Sequence, residues 1–525
     1  MRVISSITRI QAGPSTSKAG CTCNGGDRMS TAAIDRRPPP VAATTASRGY
    51  RTLWRWHFYA GLFVMPFLVV LALTGTLYCF QPQIEPLLYP HRLVVEPRNV
   101  PRLDEDALLA AARGALPPGS VATTARISSR QDRSAEFIFR LPDGDRQSVY
   151  VNPYDGTVLG TLSVERRLMQ VDRMIHRKLL LGKPGELLME LVACWTLVMI
   201  GTGVALWWPR AGATLRGALV PRFSLRGRPL WKSVHAALGI WLAVGALAFV
   251  VTGLPWTGSW GKQFKSLAAS ARLGAPSGAW GGLPLHSTRP GEQTPANRSH
   301  PAGAQTQHGS HEAHESGMDA MPGMTMDDLP LPQVPWAAGA ATVPQSRDAG
   351  PAALKPGRIV VLMRALGLTD GYDIALPASA SGVYTVSYFP PDPKLERTLY
   401  IDQYSGAILK DIRYGDYGAV GRAVSYGTSL HIGRYFGLAN QLVCTGLSLG
   451  LAVLAVTGCV MWWKRRPAGA LGAPARERSV APMRGWKLGL VLLGLVFPLM
   501  GATLVAVWLA DRMIFGRRPS QPVAS

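Results

Sequence analysis

Acidic residues are scarce in this chain of 525 residues, with 32 Asp and Glu against 55 Lys and Arg and a formal net charge of +23. Cysteine is scarcer, with six in all: Cys21, Cys23, Cys79, Cys194, Cys444 and Cys459. The first two sit in a Gly/Ser/Thr-rich leader and the other four in or at the ends of apolar runs, which is neither a disulfide framework nor a zinc pattern. Dinucleotide-like glycine patterns occur only inside apolar runs or in a Pro/Gly-rich stretch. No metal-protease helix or nucleophile motif occurs. The chain is therefore not expected to bind NAD(P)H or flavin itself, and the common protease classes find no support. A basic balance points to nucleic acid in many soluble proteins. Here the cations cluster beside hydrophobic runs, which argues for a membrane and against nucleic acid.

What is abundant is apolar sequence, at 47 % of residues with a mean hydropathy of +0.11. Five runs reach the roughly 20 apolar residues needed to cross a bilayer: 53–80, 186–208, 234–256, 438–463 and 486–510. Residues 209–232 carry six cations and no acid, and 464–487 carry seven cations against Glu477. Both short loops are expected in the cytoplasm, as is the N-terminus, flanked by Arg48, Arg51 and Arg55. Tryptophans such as Trp54, Trp207, Trp208, Trp462 and Trp463 gather at the same helix ends, as an interfacial belt does. Segments 81–185 and 257–437 then face outward, into the periplasm of a Gram-negative cell, and five spans leave the C-terminus outside. Residues 1–48 lack an apolar core, so a disordered cytoplasmic leader is expected rather than a signal peptide, with Met29 as an alternative start.

The chain repeats itself. His57 precedes Thr74-Gly75 by 17 residues, and His235 precedes Thr252-Gly253 by the same 17. His176 precedes Trp207-Trp208 by 31 residues, and His431 precedes Trp462-Trp463 by 31. Between these landmarks lie two matching segments, 149–159 and 399–409, each alternating apolar and polar residues around a turn that ends in Gly. The expected fold is thus an internally duplicated membrane α-helical bundle, with the run at 486–510 appended. The second half is longer by residues 266–350, which are rich in Pro, Gly and Ala and read as a disordered insertion.

Four of the ten histidines, His57, His176, His235 and His431, occupy equivalent places in the two repeats. Two facing histidines can hold one haem iron through both axial positions. A pseudo-twofold axis pairs His57 with His235 and His176 with His431. Two haems of the b type, one near each membrane face, form a transmembrane electron path. Placement at a helix end or in helix packing are the alternatives for these side chains. A continuous helix of 31 residues would rise about 46 Å, far more than the roughly 30 Å hydrocarbon core. Gly182-Lys183-Pro184-Gly185 must therefore break it, leaving the outer haem at the surface or reached by a fold-back.

Trp54 with His57 and Thr74-Gly75, the Tyr-x-Asn/Asp-x-Tyr-x-Gly hairpins, His176-Arg177 with Leu179-Leu180-Leu181-Gly182, and the Trp-Trp ends together resemble the PepSY-associated transmembrane-helix family. The likeness covers 50–265 and 351–465. It implies small periplasmic α+β PepSY domains around 100–160 and 355–412. It also implies His57, His176, His235 and His431 as haem ligands, and reduction of siderophore-bound ferric iron at the inner membrane. The donor would be a quinol or a cytoplasmic partner. Span five and the insertion depart from the family pattern. The insertion carries His308, His311 and His314, then Met318, Met321, Met324 and Met326. Imidazole and thioether suit copper, so a copper-handling reductase is the first rival. A non-enzymatic PepSY-type regulator is the second.

Overall fold

The computed structural model describes residues 49–209, 214–274, 334–339, 341–346, 352–469, 471–474 and 483–516. The leader 1–48 lies outside them.

Four helices are long and apolar enough to cross a membrane. They are α1 (Tyr50–Cys79), α6 (Gly182–Trp207), α8 (Gly227–Gly253, continued by a 3-10 turn to Trp256) and α12 (Leu438–Trp463). At 1.5 Å per residue each spans at least about 39 Å, more than a hydrocarbon core requires. Their outward faces are apolar, for example Val244 at 78 % exposure and Val443 at 60 %, as suits lipid contact. The helix α1 packs along α6 and α12, and α8 packs along the same two, so α1 and α8 face each other across the bundle diagonal. Small residues let helices approach: Gly245 lies against Leu447 and Gly450 against Leu242 where α8 meets α12.

Between α1 and α6 the chain forms α2 (Gln81–Leu88), α3 (Pro90–Leu93), α4 (Glu105–Gly114), strands β1 (Val121–Ile127), β2 (Ala135–Arg140), β3 (Arg146–Val151) and β4 (Val158–Ser163), and α5 (Leu168–Lys178). The short α7 (Leu215–Leu219) leads to α8. The second repeat adds α9 (Trp260–Ser270), α10 (Pro356–Ala365), β5 (Tyr372–Ala375), β6 (Val383–Tyr388), β7 (Arg397–Asp402), β8 (Ile408–Arg413) and α11 (Ala419–His431). The strands of both repeats form one antiparallel eight-stranded sheet, ordered β4-β3-β2-β1-β5-β6-β7-β8. The sequence predicts two small α+β units; β1 and β5 pair from Thr124↔Ala375 to Ile127↔Tyr372 and join them. Two sheet edges that would be open in isolated units are covered this way. Alternation sets the faces: Phe137, Phe139, Val149, Leu399 and Ile401 pack under α4 and α10 with Leu108, Ile359 and Met363, while Glu136, Ser148, Thr385 and Thr398 point to the other side. The two matched hairpins turn alike. Gly156 and Gly406 take φ of 73° and 74°, and Asn152 Oδ1 and Asp402 Oδ1 accept the amides of Tyr154 and Tyr404.

The run at 486–510 differs from the expected single span. It forms α13 (Arg484–Val496) and α14 (Pro498–Gly516), with non-helical Phe497 between them. Met483 lies against Gly49 at the start of α1. At the far end of α13, Trp260 Nε1 donates to Val496 O at 2.8 Å. Helix α14 then runs back beside α6, where Trp195 Nε1 donates to Thr503 Oγ1 at 3.0 Å. Gly494 and Gly501 close the bend against each other. Pro498 cannot donate to the preceding turn, and its ring disfavours helical backbone at Phe497, which breaks the run.

The insertion is also narrower than 266–350. Helix α9 continues to Ser270, and residues 334–339 and 341–346 return beside it, with Trp336 only 3 % exposed and its Nε1 donating to Pro255 O at 3.1 Å. His308, His311, His314, Met318, Met321, Met324 and Met326 lie outside the described residues.

Candidate functional site

The bundle holds four histidines in two layers. His57 stands in the third turn of α1 and His235 in the third turn of α8, so the bundle diagonal brings them face to face with ring centres 6.2 Å apart and planes at 81°. His176 ends α5 and His431 ends α11. Both helices fold back from the starts of α6 and α12, so that His176 reaches α1 and His431 reaches α8. The fold-back required by the 31-residue spacing is present. In the first repeat Leu179 and Leu180 make it with φ of 52° and 59°; in the second, Gly433 and Gly437 make it with φ of 74° and 56°.

Each imidazole is held the same way. His176 Nδ1 lies 2.8 Å from Thr74 Oγ1, His431 Nδ1 2.8 Å from Thr252 Oγ1, His235 Nδ1 2.8 Å from Thr457 Oγ1, and His57 Nδ1 3.1 Å from Thr202 Oγ1. Every one of these threonines donates its own hydroxyl hydrogen to a backbone carbonyl one turn earlier: Val70 O, Ala248 O, Leu454 O and Val198 O, at 2.6–2.7 Å. The hydroxyl oxygen must therefore accept from the ring, which assigns the proton to Nδ1. Nε2 is left with its lone pair, and among the described residues it makes no hydrogen bond. This arrangement orients an imidazole for metal binding and fixes its tautomer.

A glycine follows each threonine, and the ring edge packs on it. A Cβ at Gly75, Gly203, Gly253 or Gly458 would stand 3.3, 3.2, 3.5 or 3.5 Å from the Cε1 of His176, His57, His431 or His235 respectively. Thr202-Gly203 and Thr457-Gly458 were missed by sequence reasoning. The signal was available, since each threonine precedes its Trp-Trp pair by the same five residues.

The inner pair opens on a cavity of about 510 Å³ lined by Met65, Ile200, Ile240 and Leu454, with Trp54, Trp207 and Trp462 towards its mouth. That volume is in the range of cofactor sites. Arg228, Lys232 and Arg465 line its end away from the sheet, and the Arg465 guanidinium lies 4.8 Å above the Trp54 ring. An apolar slot lined by two imidazoles, with cations at one end, is of a size and character that fits a flat macrocycle bearing carboxylates.

In the outer layer, burial pushes His176 down to about 3, helped by His431 and Arg177, and burial lowers His431 to about 4. Both rings are neutral at physiological pH, as metal ligation requires. His431 packs against Phe249 at 5.1 Å between ring centres. Seventeen residues of α1 separate His57 from Thr74, a rise of about 25 Å between layers. Among the described residues no group of three His, Cys, Asp or Glu is placed to hold a metal ion.

The family model described as PepSY-associated TM region matches residues 54–465. That is more than three quarters of the chain, and the chain belongs to this family. No curated protein matches it.

Proposed function

We propose that this member of the PepSY-associated transmembrane family is an inner-membrane haem protein that passes electrons outward to a periplasmic ferric siderophore. The observation that carries the reading is the shared clamp: four imidazoles, each with Nδ1–H given to a threonine that is itself committed to a helix carbonyl, and each with no hydrogen bond at Nε2 among the described residues. His57 and His235 would hold one haem b, His176 and His431 a second. When bound, haem supplies a one-electron couple whose potential is set by its axial ligands and its surroundings.

The residues of the chain do the rest. Arg228, Lys232 and Arg465, which line the inner end of the cavity, would neutralise the carboxylates of a bound haem. Apolar walls exclude water from the inner slot. The threonines keep each ring from rotating and raise the basicity of its Nε2. Hard siderophore oxygens hold Fe(III) far better than Fe(II), so reduction favours release. A quinol or a cytoplasmic redox protein serves as donor, in line with the lack of a nucleotide fingerprint. The cationic loops support a cytoplasmic N-terminus by the positive-inside rule.

Absorption spectroscopy with haem quantification tests this directly. The purified protein is expected to show a low-spin bis-histidine spectrum and two haems per chain. His57→Ala and His235→Ala should each retain one. A protein without haem, or both variants retaining two, overturns the assignment.

A further inference from the structure

A second cavity lies between α4 and α10, on the face of the sheet turned away from the histidines. Helix α5, which carries His176, meets the opposite face, where Arg167 at its start bonds Glu136 at 2.8 Å. Val424 of α11, the helix of His431, packs on that opposite face with Tyr400 and Ile412. The cavity has a volume of about 540 Å³, within the range of small-molecule sites. Both repeats build it. The first supplies Arg102, the first turn of α4 and the end of β1; the second supplies the first turn of α10 and Arg364. Leu108, Phe137 and Val361 give it an apolar wall.

The charged groups of this cavity do not all pair. Arg364 holds Glu105 at 3.2 Å, and Arg126 is held by Glu136 and Asp373. Arg102 and Arg358 have no carboxylate partner among the described residues; Arg102 donates only to Arg130 O, at 3.1 Å. Asp104 Oδ1 caps α4, and Asp106 Oδ1 accepts the amide of Gly357 at 2.9 Å. The second oxygen of each aspartate makes no hydrogen bond among the described residues. Two guanidiniums and two carboxylates are thus left over, equal in number and opposite in sign. A buried donor stands beside them. Tyr372 is 1 % exposed and lies opposite Ile127, which lines the cavity, and the Tyr372 hydroxyl makes no hydrogen bond among the described residues. Duplication does not account for these groups. Aligning the starts of α4 and α10 sets Ala353 against Arg102, Ala107 against Arg358 and Gly357 against Asp106.

We propose that this cavity binds a small zwitterion, an amino acid or short peptide with an apolar side chain. Guanidinium takes a carboxylate through paired hydrogen bonds, and carboxylate oxygens take an ammonium. The apolar wall takes the side chain. A ligand with one charge would be repelled by half of the unpaired groups, whereas a zwitterion satisfies both kinds. Because the walls come from both repeats, the ligand bridges α4 and α10 across the seam between β1 and β5. Binding here does not depend on haem occupancy.

Equilibrium dialysis of the purified full-length protein against radiolabelled L-phenylalanine tests this. Saturable retention is expected. Unlabelled L-phenylalanine should displace the label about 10-fold better than 3-phenylpropionate or phenethylamine, which carry one charge each. Arg358→Gln and Asp106→Asn should each weaken retention about 10-fold, and Asn keeps the acceptor for the Gly357 amide. Stronger displacement by alanyl-phenylalanine than by phenylalanine assigns the site to peptides, and weaker displacement assigns it to amino acids. No saturable retention below about 10 mM, equal displacement by either singly charged analogue, or wild-type retention in both variants overturns the proposal. The analogue series on the wild type decides the matter even where a variant fails to fold.

Discussion

The two repeats hold equivalent histidines by equivalent threonines, but they reach the outer pair over different backbones. Repeat one turns with Leu179 and Leu180 in the left-handed region, and repeat two turns with Gly433 and Gly437. Left-handed backbone costs an L-residue about 1–2 kcal/mol and a glycine almost nothing. A strained turn persists only where the structure around it over-determines it. In repeat one that constraint is the Thr74–His176 contact and the start of α6. A second contrast lies in the buried carboxyls. Burial acts against the Glu136 charge, but Arg126 and Arg167 outweigh it and hold its pKa at about 2. Burial pushes Glu396 up to about 7 against the hydrogen bond from Ser425. One repeat uses its buried acid as an ion and the other as a neutral hydrogen-bonding group.

The largest effect on this comparison is expected from Glu136→Ala. It leaves Arg167, with its side chain 11 % exposed, without its carboxylate partner, and loss of one partner from a buried pair costs about 3–5 kcal/mol. Chemical denaturation should show it, and a change under about 1 kcal/mol would remove the network from the account of the sheet.

Next in size are the clamps. His57 has a backbone carbonyl, Met199 O at 3.2 Å, as a second acceptor, while among the described residues His176, His235 and His431 are bonded to their threonines alone. Thr74→Val and Thr252→Val should therefore weaken haem retention about 10–100-fold at the outer site. Thr457→Val should do the same at the inner site, and Thr202→Val should weaken it less. Haem-transfer kinetics to apomyoglobin would read this, and equal losses in all four variants would contradict the distinction.

The carboxyls give a pH signature of similar size. Glu136 is depressed from 4.5, so its contribution is present above pH 4.5 and is lost as pH falls through about 2. Glu396 is raised from 4.5, so its contribution is present below pH 4.5 and is lost as pH rises through about 7. Glu396→Gln is expected to flatten the decline in melting temperature between pH 4.5 and 7, and an unchanged slope would refute the role given to Glu396.

The smallest effects concern the backbone. Leu180 is 59 % exposed, so Leu180→Gly relieves strain with little lost packing and should stabilise by about 0.5–1 kcal/mol. Gly433→Ala should destabilise by about 1–2 kcal/mol. If both changes destabilise, the left-handed turns do not differ as described.

Much of the candidate site was legible in the sequence. Spacings of 17 and 31 residues marked the four histidines because a duplicated chain repeats its landmarks wherever its function or packing repeats. Spanning helices were legible because lipid demands about 20 apolar residues in a row. The bend at Phe497 was visible as a proline within an apolar run, but hydropathy sums over such a break. The eight-stranded sheet was not legible, since alternation fixes which face of a strand is buried and says nothing of which strand pairs at its edge. The sequence by itself determined the repeat and the places of the four histidines in it, and it marked the four crossing helices together with a fifth run that the fold bends in two. Only the tertiary structure decided that β1 meets β5 and that each of the four imidazoles sets its Nδ1 against a threonine hydroxyl. Those contacts join residues far apart in the chain, and their geometry comes from packing helices and strands against each other rather than from any local pattern.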